Sequence, residues 1–309
     1  MKWIKKGLIY VPNNQVQYMN SHAAIPFAEI IDKNIVRIYF SSRNKLGQSL
    51  PYYLDVNANN MKEITNIHID PLFELGELGT FDDNGIMPSC IVKKDDKKYL
   101  YYIGWNPQVT VSYRLSIGLA VTDYKGEVFK KYSKGPICDR SIYEPFFNTA
   151  PYIIIEGNKW RMWYISCTEW RIINNYPEPK YHVKYAESYN GIDWIKNGII
   201  CIDYDDSSEA IGRPCVIKED GKYKMWYSYR KLLNYRNSKN NSYRIGYAES
   251  SDGIKWKRKD SFVGIEASEQ GWDSEMIEYC HVIDINGKKH MIYNGNGFGA
   301  SGFGYAILE

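Results

Sequence analysis

Apolar runs separated by short polar turns repeat along this chain with a period of about 63 residues. Each repeat opens with an apolar run, and the five opening positions are Pro26, Pro88, Pro151, Pro214 and Cys280, at intervals of 62, 63, 63 and 66 residues. A polar turn and an aromatic-rich run follow each opening, for example at 160–164 and 223–227. Because aromatic and β-branched residues suit pleated strands, the repeat predicts β-structure.

Two segments of the repeat, 185–194 and 247–256, are near-copies that lie 62 residues apart. In each of them an Asn-Gly or Asp-Gly pair separates two strand-like runs, and such pairs supply the positive φ angles that tight hairpins require. With this hairpin, each repeat contains four strands. Five repeats of four antiparallel strands predict an all-β, five-bladed β-propeller, with residues 1–309 forming a single domain.

The two ends of the sequence complement each other. The last repeat stops after its third strand, and residues 3–10 resemble the outer-strand segment 194–200. We therefore expect the N-terminal strand to join the last blade and close the ring, which removes two unpaired sheet edges.

Composition narrows the choice of partners. The 39 basic and 36 acidic residues are interspersed, so the basic stripe that nucleic-acid binding requires is not found. No run reaches the roughly 18 apolar residues of a membrane span, and the N-terminus does not resemble a signal peptide. The six cysteines form no CxxC pair and no metal-ligand spacing. We expect reduced core thiols, a cytoplasmic location, and neither a metal nor another cofactor.

The predicted loops differ in length between the two faces of the propeller. Turns within hairpins are short, whereas the segments 105–112, 167–180, 230–242 and 294–302 are long and irregular. All of the long segments fall on one face in this topology. Long loops without secondary structure usually carry function, so the sequence predicts a binding site on that face.

Carboxylates are predicted to surround the channel mouth on the same face, just before each repeated proline. Asp83, Glu209 and Glu275 stand five residues before the opening position in three of the repeats, and Glu144 stands nearby in another. Paired carboxylates suit glycosidic-bond chemistry, so these four are the predicted catalytic residues. A structural role in capping loop backbone groups is the alternative for each acid. The predicted substrate-binding residues are His22, Asp82, Asn84, Trp105, Asn148, Trp170, Arg213 and Glu278.

Two kinds of contact are expected from the substrate-binding set. Trp105 and Trp170, together with Phe298, lie on long loops and are predicted to stack on a sugar ring. Arg213 is predicted either to hold a carboxylate or phosphate of the ligand or to fix one of the acids.

The proline-led first strand, the Met-Trp-Tyr second strand at 225–227 and the hairpin at 247–256 resemble those of the five-bladed propeller glycosidases of families 43, 32 and 130. The resemblance covers nearly the whole chain. It implies that Asp83 corresponds to the family 43 residue that modulates a pKa, and Glu144 to the acid. Ser21 and His22 stand where the family 43 base is expected, so that role falls to Glu209 or Glu275, or hydrolysis is lost.

We therefore expect a carbohydrate-active enzyme that acts on a glycosidic bond of a small glycan or activated sugar. One alternative is a non-hydrolytic enzyme of glycan or nucleotide-sugar biosynthesis, with Arg213 on a phosphate. The other is a propeller that binds glycans without catalysis. The expected partner is a small carbohydrate or sugar phosphate, with no nucleic acid and no membrane. The sequence specifies neither the sugar nor the oligomeric state.

Overall fold

The computed structural model describes residues 1–13, 18–123 and 128–309. These residues form β-strands and one turn of 3-10 helix, Asp260–Phe262. The strands are β1 Trp3–Tyr10, β2 Ser21–Ile30, β3 Ile35–Arg43, β4 Ser49–Asn57, β5 Asn60–His68, β6 Gly85–Lys94, β7 Lys97–Pro107, β8 Tyr113–Asp123, β9 Lys130–Lys131, β10 Asn148–Glu156, β11 Lys159–Ile173, β12 Tyr176–Ser188, β13 Ile200–Ile202, β14 Glu209–Glu219, β15 Lys222–Lys231, β16 Arg244–Ser250, β17 Lys257–Arg258, β18 Glu278–Ile285, β19 Lys288–Asn294 and β20 Phe303–Leu308. The all-β prediction is confirmed.

The strands pair in consecutive antiparallel groups. Three sheets have the orders β10-β11-β12-β13, β14-β15-β16-β17 and β1-β20-β19-β18, and a larger sheet runs β2-β3-β4-β6-β7-β8-β9 with β5 paired to β4. A single parallel contact, Ser49 with Gly85, joins β4 to β6. We call β2–β5 group 1, β6–β9 group 2, β10–β13 group 3, β14–β17 group 4, and β18–β20 with β1 group 5.

The first and last strands of the chain are neighbours. β1 pairs antiparallel with β20, so that Trp3 lies opposite Leu308 and Tyr10 opposite Phe303. Group 5 also contacts group 1, because the backbone N–H of Ile25 donates to Asn294 Oδ1 at 2.8 Å.

The core lies between neighbouring groups, where the aromatic second strands stack on one another. Trp163 of β11 and Trp226 of β15 are almost completely buried. The Trp163 indole donates to the carbonyl of Gly253 at 2.8 Å, so a turn of group 4 is anchored on group 3. That turn is longer than the expected two-residue hairpin, because Asp252 Oδ1 accepts the N–H groups of Ile254 and Lys255 and holds an extra bend.

Two further expectations concern the cysteines and the membrane. All six cysteines are buried and none is in a disulfide. Over the described ranges, no helix has the length and apolar character needed to cross a bilayer.

Candidate functional site

A cavity of about 340 Å³ opens among the loops that follow the second strands. Its lining is rich in aromatic rings and guanidinium groups and, among the described residues, contains no carboxylate. The lining residues are His22, Ala24, Ile25, Arg43, Ser49, Met87, Ile103, Trp105, Tyr113, Leu115, Phe147, Thr149, Ala150, Ile165, Tyr181, Gly212, Arg213, Tyr235, Arg236, Tyr243, Tyr279 and Phe298. Every group contributes to the wall except group 5's outer strands.

One residue from each group reaches the cavity from the position directly before the repeated proline or Cys280. These residues are Ile25, Met87, Ala150, Arg213 and Tyr279. The register of each first strand shifts at this point, as a β-bulge does. Ile25, Arg213 and Tyr279 have φ values of 56°, 46° and 53°, which side chains other than glycine seldom adopt. The bulge thus holds strained residues at the channel, a frequent feature of functional sites.

Arg213 lies deep in this cavity and is only 2% exposed. Its Nη2 donates to the carbonyls of Pro26 and Ser89 at 3.4 and 3.3 Å, which are long contacts. Its Nη1 is buried and has no hydrogen-bond acceptor within the protein. Burial lowers the pKa of Arg213 from its ordinary value, although a guanidinium remains charged.

Aromatic side chains from the long loops form the upper wall. Tyr235 and Phe298 meet edge to face with ring centroids 6.0 Å apart, and Tyr243 meets Phe298 in the same way at 6.2 Å. Trp105 lies against the backbone of Gly85, where an added Cβ would be 1.6 Å from the indole nitrogen. Glycine at position 85 is therefore required for Trp105 to face the cavity.

Two further arginines hold this wall in place. Arg236 lines the cavity and pairs with Glu178, with Nε to Oε1 at 2.9 Å and Nη2 to Oε2 at 3.2 Å. Arg230 lies behind the wall with its guanidinium 3.7 Å from the centroid of the Tyr235 ring. The Tyr235 hydroxyl donates to the same Glu178 carboxylate at 2.7 Å. The loop 230–242 is thereby fixed over the cavity by charge-assisted contacts.

His22 and Arg43 form the wall contributed by group 1. His22 Nδ1 lies 3.0 Å from Ser21 Oγ. Burial and the neighbouring charge of Arg43 lower the pKa of His22 to about 4, so its imidazole is neutral at physiological pH. Arg43 is half-buried and, within the described chain, forms no ion pair with a carboxylate.

Glu278 is a buried acid at the start of β18, next to the cavity residue Tyr279. It is fully buried, and neither of its carboxylate oxygens has a hydrogen-bond partner. Burial raises the pKa of Glu278 well above its ordinary value, with the nearby charges of Arg230 and Arg236 opposing the shift. The carboxyl group is therefore protonated over a range in which exposed glutamates are ionised.

Several predicted acids belong to a recurrent cluster of acid, tyrosine and base. In group 2, Asp82 accepts from the Tyr102 hydroxyl at 2.9 Å and pairs with Lys131 at 2.6 Å. In group 5, Asp273 accepts from the Tyr293 hydroxyl at 2.9 Å and pairs with Lys5 at 2.7 Å. In both clusters the base comes from the outer strand and the acid from the connection before the first strand. The cluster thus fastens each connection to its own group.

Glu144 occupies the corresponding cluster of group 3. It accepts hydrogen bonds from Tyr164 at 3.0 Å and Ser166 at 2.9 Å, and pairs with Lys184 at 3.0 Å and Lys196 at 2.8 Å. Burial opposes its ionisation, but the two lysines outweigh that effect and hold the pKa of Glu144 at about 2. This carboxylate is fully matched and ionised.

The Lys196 ammonium also donates to Asn148 Oδ1 at 2.8 Å. In group 4, Glu209 pairs with Arg258 at 2.9 Å and accepts from the backbone N–H of Asp205 at 2.9 Å. Glu209 is 4% exposed, so its carboxylate is also buried within an ion pair.

The other predicted residues lie in the connections or behind the cavity wall. Asp83 Oδ2 accepts the N–H of Gly79 at 2.8 Å, and Asn84 follows it in the bend before β6. Glu275 is exposed, and its backbone N–H donates to Asn296. Trp170 packs edge-on against Tyr113 and Phe147, with centroids 5.4 and 5.9 Å away.

Three of the predicted site residues, His22, Trp105 and Arg213, therefore line the cavity together. The carboxylates Asp83, Glu144, Glu209 and Glu275 do not, and neither do Asp82, Asn84, Asn148, Trp170 and Glu278. A catalytic or binding role for these residues stays a prediction.

Two proteins of Mycobacterium tuberculosis are similar to this chain along its whole length. Uncharacterized protein MT1551 of strain CDC 1551 / Oshkosh and Uncharacterized protein Rv1502 of strain ATCC 25618 / H37Rv are each 36% identical to it over 310 residues, which covers 100% of this chain and 100% of each relative. The chain belongs to the family of these two proteins. No protein-family model matches it.

Solved glycoside hydrolases share the fold. A protein described as Glycoside hydrolase matches with a TM-score of 0.74 and 16% identity, over 99% of this chain and 90% of that one. A thermostable family-43 glycoside hydrolase matches with a TM-score of 0.65 and 17% identity, over 94% and 90% of the two chains. The Bombyx mori GH32 beta-fructofuranosidase BmSUC1 matches with a TM-score of 0.59 and 16% identity, over 99% of this chain and 61% of that one. The structural neighbours are thus glycoside hydrolases of propeller fold, and the expected resemblance is confirmed.

Several cavity residues of this family member were not among the sequence predictions. Arg43, Tyr235, Arg236, Tyr243 and Tyr279 line the cavity but were not predicted as site residues. Three of them lie in or beside the loop 230–242, whose length was a usable signal. Tyr279 carries a second signal, because it directly precedes the repeated position and is equivalent to Arg213.

Proposed function

We propose that this chain is a carbohydrate-active protein that binds a small carbohydrate in the aromatic cavity. In this proposal residues 1–309 form one five-bladed propeller domain, groups 1 to 5 are its blades, and β1 completes the last blade. The protein acts in the cytoplasm on a small sugar, without nucleic acid or membrane. The likeness in fold to glycoside hydrolases supports a carbohydrate ligand but specifies no substrate.

The lining of the cavity is the observation that carries the proposal. Eight aromatic rings surround a volume of about 340 Å³, which lies at the lower end of the range for small-molecule sites. Apolar ring faces pack on the C–H faces of a sugar, while tyrosine hydroxyls and guanidinium groups bond its hydroxyls. Trp105 and Tyr243 are the rings that we expect to contact the sugar.

Binding is tested by isothermal titration with a panel of monosaccharides and disaccharides. We expect at least one sugar to bind, and Trp105→Ala to weaken its binding about tenfold, since loss of a buried aromatic contact of about 1.4 kcal/mol corresponds to that factor. Tyr189→Ala is the matched control, because Tyr189 is 68% exposed and does not line the cavity. Equal effects of the two substitutions, or no binding by any sugar, would refute the proposal.

Cleavage of a glycosidic bond by paired carboxylates is the second candidate function. Glu278 favours it, because a buried, unpartnered carboxyl group with a raised pKa has the properties of a general acid. Against it, the described cavity lining contains no carboxylate, and Glu144 and Glu209 are held in ion pairs.

Aryl glycosides separate binding from cleavage. If the second candidate is correct, the wild type releases the aryl group, and Glu278→Gln reduces the rate by at least 100-fold, within the range that general acid catalysis contributes. Asp83→Asn and Glu209→Gln test the predicted acids in the same assay. If the wild type binds sugar but releases no aryl group, this candidate is abandoned.

A further inference from the structure

We infer that the sugar bound in this cavity is acidic, and that its carboxylate or phosphate group binds between Arg213 and Arg43. The inference rests on the proposed function and specifies the class of ligand. It begins from a mismatch of charge: three arginines line the cavity, and no carboxylate of the described chain lines it with them.

Arg213 is the strongest reason for an anionic ligand. A buried guanidinium is expected to have a carboxylate partner, because taking an unpaired charge out of water is costly. Arg213 is 98% buried by the converse of its 2% exposure, and its Nη1 donates to no acceptor in the protein. The two carbonyls that Nη2 contacts carry no net charge. The cavity is the one direction from which an anion can reach this group.

The groups that surround Arg213 do not supply the missing negative charge. Cys90, Cys215 and Cys280 lie closest among the titratable side chains. Burial raises the pKa of Cys90 to about 12 and that of Cys215 to about 11, so both are neutral thiols. Burial and Arg213 itself lower the pKa of His281 to about 3, so this imidazole is uncharged.

Arg43 provides a second positive charge without a carboxylate partner. It lines the same cavity from group 1, near the neutral imidazole of His22. The third arginine, Arg236, is neutralised by Glu178 at 2.9 Å. Two unmatched guanidinium groups therefore face a ligand that the aromatic rings enclose. Arginine favours carboxylate and phosphate because its planar fork binds two of their oxygens at once.

The inference is tested by titrating the protein with matched neutral and acidic sugars. The probes are glucose, galactose and mannose, the glucuronate, galacturonate and mannuronate of the same configurations, the three hexose 1-phosphates, and inorganic phosphate. We expect an acidic sugar to bind at least tenfold more tightly than its neutral counterpart. A preference for uronates or for hexose phosphates identifies which anionic group the site accepts.

Two variants connect this preference to the arginines. Arg213→Met and Arg43→Gln should each reduce the preference for the acidic sugar to less than about threefold, and leave the binding of the neutral sugar within about twofold. Arg140→Gln, an exposed arginine outside the cavity, is the matched control and should change neither value. Arg43→Gln preserves the test if Arg213→Met does not fold, because Arg43 is only half-buried.

The outcomes distinguish the two proposals. Equal binding of neutral and acidic sugars overturns this inference and leaves the proposed function intact. Binding of inorganic phosphate as tight as that of every hexose phosphate also overturns it, because the site would then recognise the anion without the sugar. If no sugar of either class binds, the proposed function itself fails.

Discussion

The Glu144 cluster and the Arg213 environment are both buried and both charged, but only one of them is balanced. Glu144 is in contact with two lysines, a tyrosine and a serine. Arg213 has two long contacts to carbonyls and one nitrogen without any partner. The balanced cluster fastens a connection to its own strand group, which is a structural task. The unbalanced charge lines a cavity, and a ligand can complete it.

The difference teaches how to interpret carboxylates that cluster in a sequence. Asp82, Glu144 and Asp273 stand before the first strands of three groups, and all three are neutralised by a lysine from an outer strand. The repeated acids thus follow the repeated architecture. Arg213 has no such equivalent in the other groups, where Ile25, Met87, Ala150 and Tyr279 occupy its position. A charge that breaks the repeat is the better indication of a ligand site.

The largest effect is expected from Glu144→Gln. The substitution leaves the Lys184 and Lys196 ammonium groups buried without a carboxylate, which should reduce the free energy of unfolding by about 3–5 kcal/mol. Chemical denaturation measures this change. Glu275→Gln is the control, because Glu275 is exposed and should change stability by less than about 0.5 kcal/mol. A loss below about 1 kcal/mol for Glu144→Gln would mean that the cluster is not balanced in the way described.

The pH dependence of stability is the second prediction. The folded-state pKa of Glu144, about 2, is below the ordinary value of 4.5, so folding favours the ionised carboxylate. The stability from this pair is therefore complete above about pH 5 and is lost as the pH falls toward 2, by roughly 3 kcal/mol. Denaturation of the wild type and Glu144→Gln at pH 7, 4 and 3 measures it. The two curves should converge in acid, and a constant difference between them would contradict the assignment.

A smaller loss is expected when one hydrogen bond of a balanced cluster is removed. Tyr102→Phe deletes the 2.9 Å bond to Asp82 and should reduce the free energy of unfolding by about 1.5–3 kcal/mol, the range for bonds to charged groups. Tyr52→Phe is a close control, since the Tyr52 hydroxyl is buried without a partner. Its removal should be neutral or stabilising. Equal losses in both variants would show that the hydrogen bond contributes nothing.

The smallest effect, and one of opposite sign, is expected at Arg213. Because the guanidinium is unpaired, Arg213→Met should raise the stability of the empty protein by about 1 kcal/mol while it abolishes the preference for an acidic sugar. Arg161→Met is the contrasting control, because Arg161 is buried but balanced by Glu156 at 2.7 Å and should lose several kcal/mol. A loss of similar size in Arg213→Met would indicate a structural arginine.

Much of the fold was accessible from the sequence because its repeat is carried by local patterns. The prolines, the aromatic second strands and the Asn-Gly and Asp-Gly turns each specify a strand or a bend where they occur, and the all-β prediction followed from them. The match between the two chain ends has its counterpart in the pairing of β1 with β20.

The site was less accessible, for two physical reasons. The bulge before each repeated position turns Arg213 and Tyr279 into the cavity, and a bulge that shifts register leaves no distinct signal in an alternating pattern. The bases that neutralise Asp82 and Glu144 come from outer strands 48–52 residues away in sequence, as Lys131 and Lys196 show, so the acids appeared free. Loop length was the signal that remained valid, because Tyr235 and Phe298 lie on segments predicted to be functional.

A crystal structure of the protein with the tightest-binding acidic sugar tests the central claim most directly. The account predicts that the sugar ring lies against Trp105 or Tyr243, and that an oxygen of its carboxylate or phosphate lies within hydrogen-bond distance of Arg213 Nη1. A sugar bound instead beside Asp83 and Glu275, with the aromatic cavity empty, would contradict it.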